Sequence, residues 1–339
     1  MAPRGADGGT RPGGETPAMR QYWDAKRAHP DAILLFRMGD FFEVFFDDAV
    51  EAAPVMGVTL TSRPMQGARQ PMCGVPHHAW ETYVGKLLRA GRRVVLCDQV
   101  ETPNGRTLVK REVTRVLTPG TVLEDAYLEP SRSNWLVAAW SRGAEAGLAA
   151  CDISTGELQL CQLAAERLPA ELNRLVPAEL LSPPAVETYK FDPDRGQHRL
   201  ADLLGIGYLA SIGAETAPLA IGAAGVVLDY LQENQVRLSP GLLRVTTYRA
   251  DATMQLDEAT ARNLELDALV RLLDHSVTPV GARRLRRWVR APLRDGEEIE
   301  LRLGAVEELQ GATGRRLRDA LAGVGDLERL VTRGAQGLS

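Results

Sequence analysis

The sequence predicts a multidomain α/β chain: two successive mixed α/β units followed by the start of an all-α unit. Three observations carry this. The 339 residues exceed what one ordinary core accommodates, so two or three domains are expected. Short β-rich runs alternate with helix-spaced runs up to about residue 250. From Met254 onward the strand signals vanish and amphipathic, helix-spaced segments remain.

Residues 1–18, "MAPRGADGGTRPGGETPA", are rich in Gly and Pro and lack the apolar run of a signal peptide, so they read as a flexible tail. The first α/β unit covers 19–128. Its strand and turn signals are "AILLF", "MGD", "FFEVFF", "RRVVLCDQV" and "REVTRVLTPGT". Two helices are expected between them, "DDAVEAAPVM", with its Asp pair as a cap, and "HAWETYVGKLLRAG", ending at Gly91. A break follows at "LEPSRSN". The second unit, 129–250, opens with three strands in "WLVAAWSRGAEAGLAACDISTGELQLCQL". A helix and strand follow in "ERLPAELNRLVPAELLSPP", and another helix in "ETAPLAIGAAGVVLDYLQENQ". The third unit, 251–339, has few helices and closes on "LERLVTRGAQGLS" with an unmatched apolar face, so the chain reads as truncated.

An apolar fraction of 45% and a charged fraction of 25% are those of a soluble globular protein. No run approaches a membrane span, and with no leader a cytoplasmic location and no membrane partner are expected. Cys73, Cys97, Cys151 and Cys161 lack metal spacing and read as buried free thiols. The net charge is −4, but residues 63–115 hold ten Lys/Arg against four acids, a local +6. Arg283, Arg284, Arg286, Arg287, Arg290 and Arg294 form a second basic cluster. Such islands suit nucleic acid, and they also suit solvated, ion-paired faces.

Five of the six phenylalanines fall between Phe36 and Phe46, within "LLFRMGDFFEVFFDDA". A hairpin turning at Met38–Asp40 would place Phe42, Val44 and Phe46 on one strand face and Phe41, Glu43 and Phe45 on the other. The first set is wholly apolar and suits a core. The second contains a carboxylate, which is costly to bury unpaired, so Glu43 should face water or a ligand. Phe41 beside it is either a rim aromatic packed on the next helix or a wedge for insertion between stacked bases.

Here a resemblance adds what spacing leaves open. "LLFRMGDFFEVFFDDA", "PMCGVPHHAWETYVGKLLRAG" and "REVTRVLTPGT" resemble the N-terminal signature of the bacterial MutS family of mismatch-recognition proteins. "DISTGE", "AAGVVLDYLQENQ", "MQLDEATARNLEL", "TPVGARRLRRWVRAPLRD" and "VGDLERL" continue the likeness, in order, from Met19 to Leu330. The resemblance implies a mismatch-recognition domain, an RNase H-like connector and the start of a helical core and lever domain. Its Phe-x-Glu reader falls on Phe41-Phe42-Glu43, with Phe41 stacking on the mispaired base from the minor groove and Glu43 hydrogen-bonding it. It further implies DNA contacts from Met38, Arg63 and Met72. The implied partners are double-stranded DNA with mismatches or small loops, a second copy in a dimer, and a MutL-type repair protein.

ATP and Mg²⁺ belong to the complete family protein. No G-x-x-x-x-G-K-[ST] cradle occurs here, the Gly85-Lys86 pair being followed by Leu87, so neither cofactor nor ATPase activity is expected of these residues. The chain also reaches "DHSVTPVG" sooner than the family pattern does. Two other readings stand beside this one. Asp152 and Glu157 could belong to a two-metal nuclease, which needs further converging carboxylates. Residues 129–250 could be a protein-interaction module. His77 and His78 read as a loop leading into a helix near DNA.

Overall fold

The computed structural model describes residues 16–65, 68–101, 109–204, 212–238 and 241–337; the expected tail up to residue 15 and Arg106 lie outside them. The chain divides into two compact bodies, Met1–Leu117 and Thr118–Ser339.

In the first body α1 (Pro17–Ala28) begins inside the stretch expected as tail. Thr16 caps it by accepting from the Met19 amide, and Pro17 suits a first turn. Then come β1 (Ile33–Met38), β2 (Phe41–Phe45), α2 (Phe46–Met56), β3 (Thr61–Met65) and β4 (Ala68–Pro76). A 3₁₀ turn at His77–Ala79 leads into α3 (Trp80–Arg89), and β5 (Val94–Gln99) and β6 (Arg111–Leu117) complete the body. The six strands form one sheet in the order β3-β4-β2-β1-β5-β6, in which only the β1–β5 pair is parallel. The β3–β4 hairpin escapes the sequence reading because Pro64, Pro71 and Pro76 interrupt its alternation.

Two expectations need correction. Asp47 and Asp48 do not cap α2. The cap position is Phe45, and the acids stand in the first turn, where they complement the helix dipole. Asp48 there accepts from the Lys26 ammonium at 2.8 Å and the Leu34 amide at 3.1 Å, tying α1, β1 and α2 together. Phe46 does not continue the β2 face either. Its φ of 57° turns the chain into α2 and returns its ring to the Phe45 side, where it stacks on Trp23 at 4.9 Å.

The second body is built on β7 (Leu136–Arg142), β8 (Glu145–Asp152) and β9 (Glu157–Ala164), an antiparallel meander. Beside it run β10 (Glu179–Leu181), parallel to β7, and β11 (Arg244–Thr247), parallel to β9. Helices α4 (Leu168–Leu175), α5 (Pro193–Leu204) and α6 (Pro218–Glu233) accompany the sheet. The Thr118–Asn134 segment belongs to this body: Glu179 accepts from the Gly120 amide at 2.8 Å, and Asp152 from the Asn134 amide at 2.9 Å.

Helix α6 is almost wholly buried because small residues let backbones meet. A Cβ on Gly147 of β8 would fall 2.1 Å from the Leu219 carbonyl carbon, and one on Gly222 would fall 2.1 Å from the Phe191 oxygen. Gly147→Ala is therefore expected to destabilise the second body by about 1–3 kcal/mol through overpacking, read as a lowered unfolding midpoint. Gly143, at a turn with open space around it, gives no such clash, though its positive φ also disfavours alanine.

Helices α7 (Glu258–Asn263), α8 (Leu266–Leu273), α9 (Pro279–Arg290), α10 (Gly296–Glu308), α11 (Ala312–Leu321) and α12 (Leu327–Gln336) follow, as expected after Met254. Helix α12 buries Arg329 and Thr332 while Leu327, Leu330 and Val331 face outward, so its apolar side is indeed unmatched. No described helix is long and apolar enough to cross a membrane.

Candidate nucleic-acid interface

Strand register assembles the site. Paired residues share a face, which puts Met38, Phe41 and Pro76 in one row and Phe36, Glu43 and Gly74 in the next. Leu34, Phe45, Met72 and Thr61 follow, and Arg63 lies opposite Gln70 on the same face. All five residues singled out above, Met38, Phe41, Glu43, Arg63 and Met72, therefore stand on one face of one sheet.

Helix α1 covers the inner part of that face. The buried Tyr22 ring meets Phe36 at 5.7 Å and Phe45 at 5.3 Å, both edge-on, and Met38 and Met72 pack at the margin of this cluster. On the opposite face Phe42 lies against Trp80, and the Cys73 thiol meets the Ala49 oxygen of α2. The phenylalanine-rich stretch thus serves two cores, with one ring left over. Phe41, next to the Gly39-Asp40 turn, is 49% exposed, whereas Phe36, Phe42 and Phe45 are buried.

Two residues along β2, Glu43 keeps 16% of its side chain accessible and takes a hydrogen bond of 3.0 Å from the Arg63 guanidinium, itself 45% accessible. The contact spans β4, which lies between their strands. Gly74, opposite Glu43, leaves the space clear: a Cβ there would sit 3.7 Å from the Glu43 Cγ. Burial pushes the Glu43 carboxyl up from its ordinary value, and the Arg63 charge and hydrogen bond oppose that without cancelling it. Glu43 is thus poised to lose its charge more readily than a surface carboxylate.

The basic stretch is partly neutralised within the body. Arg92 pairs with Glu51, Arg93 with Asp31 and Lys110 with Glu112. Sequence reasoning did not single out Arg111, which sits on the same face as Phe36, 5.3 Å from its ring, and donates to the Arg37 oxygen at 2.6 Å. The only signal for it was membership of the basic run. His77 stacks near Phe42 in the 3₁₀ turn, and His78 is exposed.

The second basic cluster is ion-paired as expected but only partly solvated: Arg284 and Arg294 are exposed, while the other four are half-buried or buried. Arg283 is 2% exposed and forks onto Asp326, with a further bond to Glu328. Arg286 and Arg290 share Asp267, and Arg287 bonds Glu157 and Ser133. Arg283 also donates to the Pro130 oxygen, and Arg329 to those of Glu129 and Arg132. These arginines fasten the 129–133 segment to the helices. The nuclease alternative loses its residues to the same network, since Asp152 is buried and bonded to Asn134 and Ser154 while Glu157 holds Arg287. Among the described residues no group of three or more His, Cys, Asp or Glu is placed to hold a metal ion.

Three family models match in order: MutS domain I over residues 16–126, MutS domain II over 134–244 and MutS domain III over 259–338. The chain is 43% identical over 348 residues to the DNA mismatch repair protein MutS of Anaeromyxobacter dehalogenans (strain 2CP-C), covering 94% of this chain and 40% of that protein. The MutS proteins of Myxococcus xanthus and Porphyromonas gingivalis are 40% and 38% identical, over 94% and 95% of this chain and 40% of each relative. The chain thus spans about two fifths of the length of these relatives. With three domain models in sequence and this level of identity along nearly its whole length, the chain belongs to the MutS family.

Proposed function

We propose that the chain serves DNA mismatch repair by binding mispaired or looped duplex DNA, with Phe41 as a wedge entering from the minor groove and Glu43 as the hydrogen-bonding partner of the displaced base. The observation that carries this reading is the exposure of Phe41 in a stretch whose other strand phenylalanines are buried. A rigid hairpin between two packed cores can force an apolar ring into a base step, at a cost of a few kcal/mol that a mismatch, already poorly stacked, lowers. A carboxylate beside phosphates is otherwise a liability. Hydrogen bonding to a base edge gives Glu43 its place.

The test is Glu43→Gln in the 339-residue chain, compared with wild type on matched and mismatched duplexes. Removing a charge that DNA repels should hold or strengthen matched-duplex binding, while discrimination falls by the worth of one base contact, about 1–3 kcal/mol. Unchanged discrimination would remove Glu43 from the reading. ATP-linked steps, self-association and a MutL-type partner belong to the same proposal at the level of the complete family protein.

A further inference from the structure

We infer that Arg63 is the specificity-determining partner of Glu43: it holds the carboxylate in the free chain and on matched duplex, and passes to a DNA phosphate only when Glu43 turns to a mispaired base. The inference rests on the mismatch reading above.

Four observations lead to it. Among the described hydrogen bonds, Glu43 has Arg63 as its partner, through one carboxylate oxygen and one guanidinium nitrogen. Such a single-bonded pair with a half-exposed arginine is easily exchanged, unlike the forked bond of Arg283. The two residues come from β2 and β3, with Arg63 opposite Gln70 and Glu43 opposite Gly74, so the contact runs diagonally over β4 between side chains that strand pairing does not set opposite each other. Neighbouring arginines are otherwise engaged: Arg37 with the Gly39 oxygen, Arg69 with Ser62 and Arg111 with the Arg37 oxygen.

Charge then decides which duplex opens the pair. Closed, it is neutral and neither attracts nor repels the backbone. Opening it on matched DNA would bring a bare carboxylate to stacked bases and phosphates without compensation. At a mismatch, the unstacked base edge takes the Glu43 hydrogen bond while a phosphate takes the freed guanidinium. The mismatched complex thereby contains one more cation–phosphate contact than the matched one, and it releases about one more counterion.

The experiment measures binding to matched and mismatched duplexes across a salt series. The expected result is a log–log slope steeper on the mismatch by about 0.9. Arg63→Met should abolish that difference while leaving the matched-duplex slope unchanged. In the free chain, the Glu43 carboxyl followed by ¹³C NMR should titrate higher in Arg63→Met than in wild type. Equal wild-type slopes with mismatch preference intact overturn this inference alone. So does a slope loss in Arg63→Met equal on both duplexes, which would mark a permanent phosphate contact, or an unmoved Glu43 titration. A wild-type chain with no mismatch preference overturns the mismatch reading and this inference together.

Discussion

Replacing Phe41 by alanine is expected to abolish the preference for mismatched over matched duplex while changing stability by no more than about 0.5 kcal/mol. Half of the ring is already in water, so its truncation leaves no sealed cavity. Phe42→Ala and Phe45→Ala are the controls. Both rings are buried, one against Trp80 and the other against Tyr22, and each truncation should cost about 3–5 kcal/mol. Competition binding with matched and mismatched duplexes, beside urea unfolding of each variant, separates the two effects. A Phe41→Ala chain that keeps its discrimination but unfolds far more easily would mean that the ring is structural.

A comparably large loss of stability is expected from Arg283→Met. The substitution keeps much of the side-chain volume but leaves Asp326 and Glu328 facing each other without their shared cation. Breaking a buried pair from one side costs about 3–5 kcal/mol. Arg284→Met, one residue away and exposed, should stay within about 0.5 kcal/mol. The pH dependence has a defined sign. Burial alone pushes the Asp326 carboxyl up, and the Arg283 fork outweighs it, leaving the group below its ordinary value. A carboxyl depressed by folding contributes stability above its unfolded pKa and loses it as pH falls through the folded one. The gap between wild type and Arg283→Met should therefore narrow as the solution is acidified below the ordinary carboxylate range. A gap independent of pH would show that the cost is packing rather than charge.

Much of the architecture was legible from residue order. Periodicity alone separates the strand-bearing part from the helices after Met254, because a period of two and a period near 3.6 are local properties of the chain. The same holds for the Gly39-Asp40 turn and for the shared strand face of Phe41 and Glu43, which alternation along β2 fixes. Prolines hid the β3–β4 hairpin, and the left-handed backbone at Phe46 ended an alternation that the letters appeared to continue.

What alternation could not decide was which members of a face are covered. Phe41 and Phe45 share a face of β2, yet one is half-exposed and the other buried, because α1 brings Tyr22 over one end of the sheet and not the other. The Glu43–Arg63 pair and the burial of Arg283 have the same origin. Each joins residues from separate elements, the first across an intervening strand and the second between α9 and the start of α12. A sequence specifies which groups can attract one another. Which of them lose their water, and so which attractions gain strength, depends on the elements that close around them in three dimensions.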